Sequence, residues 1–342
     1  MSKRLKYLLP MMALAMLLPL SCRRRPLLYP DQTVTVIVKV LWKVEVFPDG
    51  VKPSGITLFF FRDGEFYMQQ TTANVDSCAV QLEPGRYRLY MITQSPEEYG
   101  RMEFEHLTDF NEAEVSVAQT ESKWYVRGAE EELITNPEMM SAGVSDWFEV
   151  TDDYVPTKAD EVVKYYTIRV PVQPKSIVSQ YWVTIYANNA DVLQSVRAST
   201  SGMARTFELT QDHTGQEEGT QFITQWSLTM DDPTTRVGHV DGRITTFGFP
   251  NGEMPSALRD STLNVSALLV DGKTIEDYVF NVGDKITSPP PEKGYRSLYR
   301  LVFGSVDKPE IHPPDVKPKD GVSGFDANVE DWGQGEDIDV PM

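Results

Sequence analysis

Short runs of β-branched and aromatic residues, rather than long amphipathic windows, dominate the chain from residue 33 onward. Thr33–Trp42 is rich in valine and alternates in part between apolar and polar positions, which favours a strand. Ile56–Phe61 is apolar throughout and ends at Asp63-Gly64, a pair typical of a hairpin. Pro84-Gly85 suits the centre of a type II turn, because proline presets φ and glycine accepts a positive φ. The pattern predicts an all-β fold.

The second half of the chain has the same character. Further strands are predicted over Lys164–Val172, Ile177–Tyr186, Phe222–Leu228, Arg243–Phe249, Leu263–Val270, Thr274–Asn281 and Ser297–Phe303. Asp271-Gly272 between two of these runs predicts a second hairpin, while Asp241-Gly242 and Asn251-Gly252 predict turns. Only Asn136–Ala142 and Val192–Ala198 suggest a turn or two of helix.

Many short strands separated by turns are typical of antiparallel sandwiches. The length fits two such domains in tandem, and the polar segment Thr151–Glu161 is the best boundary between them. We therefore expect an N-terminal β-sandwich over residues 22–158 and a C-terminal β-sandwich over residues 159–305. The remaining residues, 306–342, carry ten acidic and three basic side chains and five prolines. We expect this acidic tail to be flexible or to form a strap over the surface.

The first 21 residues have a different composition. Three basic residues precede Tyr7–Leu20, an apolar run of 14 residues that is too short to span a bilayer comfortably. This order predicts a signal peptide over residues 1–21. Ser21-Cys22 follows directly and resembles the lipobox of bacterial lipoproteins, in which the cysteine thiol receives a diacylglyceryl group.

The lipobox resemblance implies that Cys22 is lipidated and that acyl chains tether the protein to the outer membrane. Two alternatives stay open: an ordinary secretory signal with an incidental Cys22, and a transmembrane anchor, which Pro10 and Pro19 disfavour. Arg23–Arg25 follow the cysteine, where some lipoproteins of the Bacteroidetes carry an acidic surface-export signal. Both a surface-exposed and a periplasmic location therefore stay open.

Composition narrows the classes of partner. The 342 residues include 50 acidic and 32 basic side chains, a net charge of −18, so bulk electrostatics do not attract the chain to nucleic acid. Two cysteines are too few for a disulfide scaffold. With Cys22 lipidated, Cys78 is left alone, and its apolar setting predicts a small buried side chain.

Catalytic and metal-binding signals are weak. The four histidines lie far apart, and no zinc motif, nucleophile elbow, phosphate loop or dinucleotide fingerprint occurs. We therefore predict no catalytic residues, no metal and no cofactor, although an enzyme assembled from scattered residues stays open. Asp326–Asp331 begins like an EF-hand loop, but Asp331 stands where that loop needs glycine, which disfavours calcium binding.

The aromatic residues divide into two groups. Trp42, Trp182 and Trp226 lie on predicted strands and are expected in the core. Trp124-Tyr125 and Trp147-Phe148 lie in less regular segments and are candidates for a binding surface.

Several segments in sequence order resemble a known family. They are Leu20-Ser21-Cys22, Val40-Leu41-Trp42, Gly55–Phe61, Leu82–Tyr87, Tyr166–Pro171 and the tail from Gly324 to Met342 with Trp332 in an acidic setting. Together they resemble lipoproteins of the Bacteroidetes of the fimbrillin and fimbrial-anchor type. The resemblance implies two tandem transthyretin-like sandwiches on a lipid anchor, and fimbrial subunits as partners through strand addition at a sheet edge.

The leading hypothesis is a non-enzymatic cell-envelope lipoprotein with a structural or adhesive role, associated with fimbriae as an anchor or accessory subunit. The alternative is a glycan-binding lipoprotein of a polysaccharide-uptake system. The first predicts an unpaired sheet edge, and the second predicts exposed aromatic side chains on one face.

Overall fold

The computed structural model describes residues 33–43, 52–121, 132–151, 168–223, 225–252, 261–283, 285–287, 298–319 and residue 325. Several predictions fall outside these ranges: the signal peptide over residues 1–21, Cys22, Arg23–Arg25, Trp124-Tyr125, the calcium-like Asp326–Asp331 and Trp332. They stay predictions.

The first half of the chain forms ten strands within the described ranges. They are β1 (Val34–Val40), β2 (Ile56–Arg62), β3 (Glu65–Thr72), β4 (Ser77–Leu82), β5 (Gly85–Thr93), β6 (Met102–Glu105), β7 (Glu114–Val117), β8 (Leu133–Ile134), β9 (Ser141–Val144) and β10 (Phe148–Val150). A single 3₁₀ turn, Pro96–Glu98, lies between β5 and β6.

The second half forms twelve more strands in the described ranges. They are β11 (Ile168–Val172), β12 (Lys175–Ser176), β13 (Ser179–Ala187), β14 (Leu193–Ala204), β15 (Thr206–Glu208), β16 (His213–Thr214), β17 (Glu218–Ile223), β18 (Trp226–Asp232), β19 (Val237–Thr246), β20 (Thr262–Leu269), β21 (Ile275–Asn281) and β22 (Leu298–Phe303). Two further 3₁₀ turns are Ala190–Val192 and Pro250–Gly252.

The all-β prediction is confirmed, and the described residues contain no α-helix. The prediction of short helices over Asn136–Ala142 and Val192–Ala198 was wrong. Val192–Ala198 falls largely in β14, which pairs with β17 on one side and β20 on the other, so strand pairing overrides local propensity. The end of Asn136–Ala142 enters β9, which pairs with β5. No helix among the described residues is long and apolar enough to cross a membrane.

Three of the sheets, numbered I to III, pack on one another. Sheet I has the order β11-β1-β4, sheet II the order β12-β9-β5-β2-β3 with β10 also paired to β5, and sheet III the order β16-β15-β7-β6. Ile56, Leu58 and Phe60 belong to the core cluster shared with β1 and β4. Phe59 and Phe61 belong to the cluster shared with β7 and β15. Sheet II is therefore covered on both faces, which explains why Ile56–Phe61 is apolar throughout instead of alternating.

A second sandwich is built from the later strands. Sheet IV has the order β18-β19-β13-β22, and sheet V the order β21-β20-β14-β17-β8. Alternate residues of β13 and β20 are buried between the two sheets, as expected for a sandwich with one solvated face. Tyr181, Val183 and Trp226 lie in this core.

Strand pairing also joins the two halves of the chain. β11 lies parallel to β1, with Val38 opposite Val170, and β7 pairs with β15. β8 lies parallel to β17. The predicted domain boundary between residues 158 and 159 lies outside the described ranges and stays a prediction. Strands β11 and β12, which follow this boundary in sequence, belong to sheets I and II.

The turn predictions had mixed outcomes. Asp63-Gly64 connects β2 and β3 with both φ angles positive, as a type I′ hairpin needs, and Asp271-Gly272 connects β20 and β21. Asn251-Gly252 also turns with both φ angles positive. Asp241-Gly242, however, lies inside β19. A Cβ atom on Gly242 would lie 2.7 Å from Ile223 and 2.9 Å from Trp226, so this glycine permits close packing rather than a turn.

The prediction for Pro84-Gly85 was wrong in its conformation. Gly85 is not among the residues with positive φ, so the type II turn does not form. The flanking strands β4 and β5 exist, but they belong to sheets I and II. The segment therefore carries the chain from one layer to the next.

The described part of the tail lies along the body, as the strap prediction requires. The Glu310 N–H donates to the Tyr186 carbonyl at 2.9 Å, and the Lys319 N–H donates to the Val270 carbonyl at 2.9 Å. Ile311 is fully buried, and Val316 and Phe325 pack against the core between sheets IV and V. We call residues 310–319 the tail strap.

Candidate binding surface

Trp147 is the centre of an exposed group of rings and guanidinium groups. It lies between β9 and β10, and its side chain is 40% exposed. The Arg86 guanidinium carbon lies 4.4 Å from the Trp147 ring centroid, and that of Arg88 lies 4.8 Å from it. The Arg88 guanidinium also lies 3.3 Å from the Phe110 ring centroid. We call Arg86, Trp147, Arg88 and Phe110 the Trp147 stack.

Strand geometry brings these residues together. Arg86 and Arg88 are two positions apart on β5 and therefore point to the same face of sheet II. This is the face that β6 and β7 partly cover, and Phe110 arrives from the loop between those strands. Phe148, next to Trp147, points the other way and stacks on Tyr87 with ring centroids 5.8 Å apart. Of the predicted Trp147-Phe148 surface pair, only Trp147 is exposed.

The stack is positively charged, whereas the net charge of the protein is −18. Neither Arg86 nor Arg88 forms an ion pair within the described residues, whereas Arg62 pairs with Glu83 at 2.8 Å. The Arg88 Nε atom is buried and donates to no acceptor. Burial lowers the pKa of the Arg88 guanidinium, and the charge of Asp109 partly offsets this effect.

Two apolar side chains border the stack on the same face of sheet II. Phe66 on β3 is 38% exposed and contacts Phe61 edge-on. Val144 on β9, opposite Tyr90, is 36% exposed. Together with Trp147 they place exposed apolar area beside two cationic groups.

A second aromatic–arginine group lies on the outer face of sheet IV. Trp182 was predicted in the core, but it is only half-buried on this outer face. Arg243 and Arg300, its cross-strand neighbours on β19 and β22, lie 4.2 and 5.2 Å from its ring centroid. Alternation places Tyr181 and Val183 in the core and Trp182 outside. Trp226 is buried as predicted, and Trp42 packs partly against the core beneath sheet I.

The outer face of sheet IV also holds a polar cluster that sequence reasoning missed. His239 Nδ1 lies 2.7 Å from the Asp231 carboxylate, and His239 Nε2 lies 3.4 Å from Asp241. Asp241 also accepts a hydrogen bond from Thr184. His239 and Asp241 are two positions apart on one strand, which is only a weak sequence signal for such a cluster. Asp231 lies on β18, and only the pairing of β18 with β19 brings it to His239.

The other chemistry-bearing residues lie apart. Cys78 is buried, as predicted, and burial raises the pKa of its thiol. His106, His213 and His312 are well separated along the chain, and His312 contacts Asn188 at 2.9 Å. Within the described ranges, no three histidine, cysteine, aspartate or glutamate side chains are arranged to hold a metal ion.

Comparison with known protein families shows which family the chain belongs to. The family described as Domain of unknown function (DUF5119) matches residues 21–224, more than half of the chain. The chain belongs to this family. A comparison with curated proteins finds no significant match.

Solved structures show which fold this DUF5119 member shares. A candidate adhesin from Bacteroides ovatus is 15% identical with a TM-score of 0.53, and the alignment covers 87% of this chain and 98% of that one. The fimbrial anchor protein Mfa2 from Porphyromonas gingivalis is 13% identical with a TM-score of 0.45, covering 79% and 90%. A candidate polysaccharide-binding protein from Bacteroides thetaiotaomicron is 10% identical with a TM-score of 0.47, covering 80% and 93%. The chain shares its fold with the first of these.

Proposed function

We propose that this protein is a non-enzymatic, structural or adhesive component of the bacterial cell envelope, associated with fimbriae and anchored through a lipid on Cys22. The observation that carries the proposal is a fold shared with a candidate adhesin over 87% of this chain and 98% of that one. The sequence resemblance to fimbrillin and fimbrial-anchor lipoproteins supports the fimbrial role. The lipobox-like Ser21-Cys22 supports the anchor.

The Trp147 stack gives this role a contact surface. Tryptophan supplies a large apolar face, and arginine supplies directional, charge-assisted hydrogen bonds. Exposed Trp147 is flanked by Arg86 and Arg88. Both arginines lie on β5, which is hydrogen-bonded to strands on both sides, so their backbone loses little entropy on binding.

Copurification from crosslinked cells tests the fimbrial role. Fimbrial subunits are expected to copurify with the full-length protein, and protease added to intact cells is expected to cleave it. If no fimbrial subunit is recovered and the protein is cleaved only after lysis, the role in exposed fimbriae is wrong.

A glycan-binding role in polysaccharide uptake is the second candidate, because Trp147 and Phe66 are exposed on the same face of sheet II. Deleting the gene separates the two roles. A role in uptake predicts slower growth on a polysaccharide as sole carbon source, whereas a role in adhesion predicts normal growth and fewer attached cells.

A further inference from the structure

The two guanidinium groups of the Trp147 stack are oriented by rings rather than by carboxylates. Arg86 contacts Trp147, and Arg88 contacts both Trp147 and Phe110. A guanidinium that lies over a ring keeps its N–H bonds in its own plane, directed away from the ring, where they can donate to an anion in pairs. The β5 backbone sets Arg86 and Arg88 about 7 Å apart along the strand.

Three other arginines, Arg62, Arg205 and Arg236, have carboxylate partners within the described residues. Arg205 lies 2.9 Å from Glu132, and Arg236 lies 2.8 Å from Asp191 and 2.9 Å from Asp315. The chain has 50 acidic residues, so a carboxylate partner for Arg86 or Arg88 could readily have come from the protein itself. No carboxylate of the described residues forms a direct ion pair with either group. Asp109 acts on Arg88 only through its charge at longer range, and the buried Arg88 Nε has no acceptor. An external anion would satisfy both groups.

We infer that the Trp147 stack binds an anionic glycan, whose carboxylate or sulfate groups accept hydrogen bonds from Arg86 and Arg88 while its apolar C–H face packs on Trp147. This inference rests on the proposed adhesive function and names the class of its receptor. Sugars combine anionic groups with apolar faces in a small area. Phe66 and Val144 extend the apolar contact on the same face of sheet II.

The footprint favours a glycan over a protein partner. A stable protein interface buries about 800 Å² on each side and involves about 20 residues. The exposed large apolar side chains around the stack are Trp147, Phe66 and Val144, which suit a few sugar units better than a folded surface. The net charge of −18 repels a polyanion at long range. Recognition must therefore be local, with two charge-assisted contacts and ring packing.

The test measures binding of the full-length protein to immobilised polygalacturonate, which carries carboxylates, and to dextran sulfate, which carries sulfates. Neutral dextran and poly-glutamate are the comparison surfaces. We expect the protein to bind at least one of the two anionic glycans. The glycan that binds more tightly shows whether the stack prefers carboxylate or sulfate groups. We expect about tenfold weaker binding for Arg86→Gln, the loss of one charge-assisted contact, and a similar or larger loss for Trp147→Ala.

The chain offers a matched control in Arg243→Gln. Arg243 lies 4.2 Å from the Trp182 ring centroid, against 4.4 Å for Arg86 and Trp147, and both arginines are exposed. Glycan binding should not change in the Arg243 variant. Thermal unfolding of each variant identifies any loss that comes from misfolding, and Arg86→Gln tests the site if Trp147→Ala does not fold.

Three results would overturn the inference: no binding to either anionic glycan, equal binding to dextran, or equal losses for Arg86→Gln and Arg243→Gln. Stronger binding to poly-glutamate than to both glycans would assign the stack to an acidic protein partner instead. Recovery of fimbrial subunits from crosslinked cells is measured separately. A stack that binds no glycan in a protein that still copurifies with fimbriae would refute this inference and leave the proposed function standing.

Discussion

Arg236, on the turn before β19, donates a hydrogen bond from Nη2 to the carboxylate of Asp315 in the tail strap at 2.9 Å. The same guanidinium donates through Nε to Asp191 at 2.8 Å. One arginine therefore joins the acidic tail to the 3₁₀ turn ahead of β14. These two contacts raise the pKa of Arg236 above its ordinary value. The contact is exposed, so its role is to place the tail, while burial of Ile311 supplies the stability.

Ile311→Ala is expected to release the tail strap. Ile311 is fully buried and forms an isolated β-bridge with Ala187. Truncating a buried isoleucine to alanine lowers the free energy of unfolding by about 2–5 kcal/mol. Urea unfolding should show this loss, and limited proteolysis should cleave the tail faster. Asp315→Asn is the comparison, because it removes only an exposed ion pair, for which we expect little change in the free energy of unfolding. Equal effects of the two substitutions would contradict this division of roles.

Gly242→Ala is expected to destabilise the sandwich of sheets IV and V. The added methyl group would lie 2.7–2.9 Å from Ile223 and Trp226, and overpacking of this kind costs about 1–3 kcal/mol. Gly100→Ala is the control, since its nearest neighbour is the end of the Glu138 side chain at 4.0 Å. Thermal unfolding followed by tryptophan fluorescence should separate the two variants. An unchanged midpoint for Gly242→Ala would show that the strand shifts to admit the methyl group.

Glu114 makes the fold sensitive to pH. It lies between Glu105 and Glu208 across three strands. Burial, and less strongly the charges of Glu217, Glu105 and Glu208, raise its pKa, against a hydrogen bond from Thr206. A carboxyl whose folded pKa is raised stabilises the fold below its unfolded pKa, and this contribution is lost as pH rises through the folded value.

Glu114→Gln should therefore raise the unfolding midpoint at pH 7. The difference from the parent protein should shrink as pH falls through the raised folded pKa, and it should be smallest below the unfolded value of about 4.3. Calorimetry from pH 4 to 8 measures this. Glu103→Gln on β6 is exposed and serves as the control for lost charge alone. The same gain in both variants would indicate a general effect of net charge rather than the setting of Glu114.

Cys22→Ala is expected to move the protein from the membrane fraction to the soluble fraction, because the acyl chains would have no attachment atom. Fractionation of cells followed by immunoblotting measures the distribution. Cys78→Ala is the control, since Cys78 is buried in the core beneath sheet I and should not affect membrane attachment. Membrane association of the Cys22 variant equal to that of the parent would refute the lipid anchor.

Local sequence pattern predicted the features that depend on near neighbours. β1, β13 and β20 follow their alternating runs, and the Asp63-Gly64 hairpin follows from two residues that tolerate positive φ. Pairing between distant strands is not encoded in any window. β11 beside β1 and β8 beside β17 depend on packing of the whole chain.

The candidate site was predictable only in part. Trp147 was identified because it lies outside regular strands. Arg86 and Arg88 gave no sequence signal, since they are separated from Trp147 by about 60 positions and meet it only through the pairing of β10 with β5. Trp182 was misplaced because a tryptophan on an alternating strand fits either face. The arginines that contact it there come from β19 and β22.

The placement of β1 has a mechanical consequence. β1 lies between β11 and β4 and is hydrogen-bonded on both edges, and it is the first described strand after Cys22. A tether at Cys22 would apply its pull at the N-terminal end of β1. Because β1 is hydrogen-bonded to β11 and to β4 at the same time, the two ladders would share that load, and β1 could not detach by breaking one of them alone.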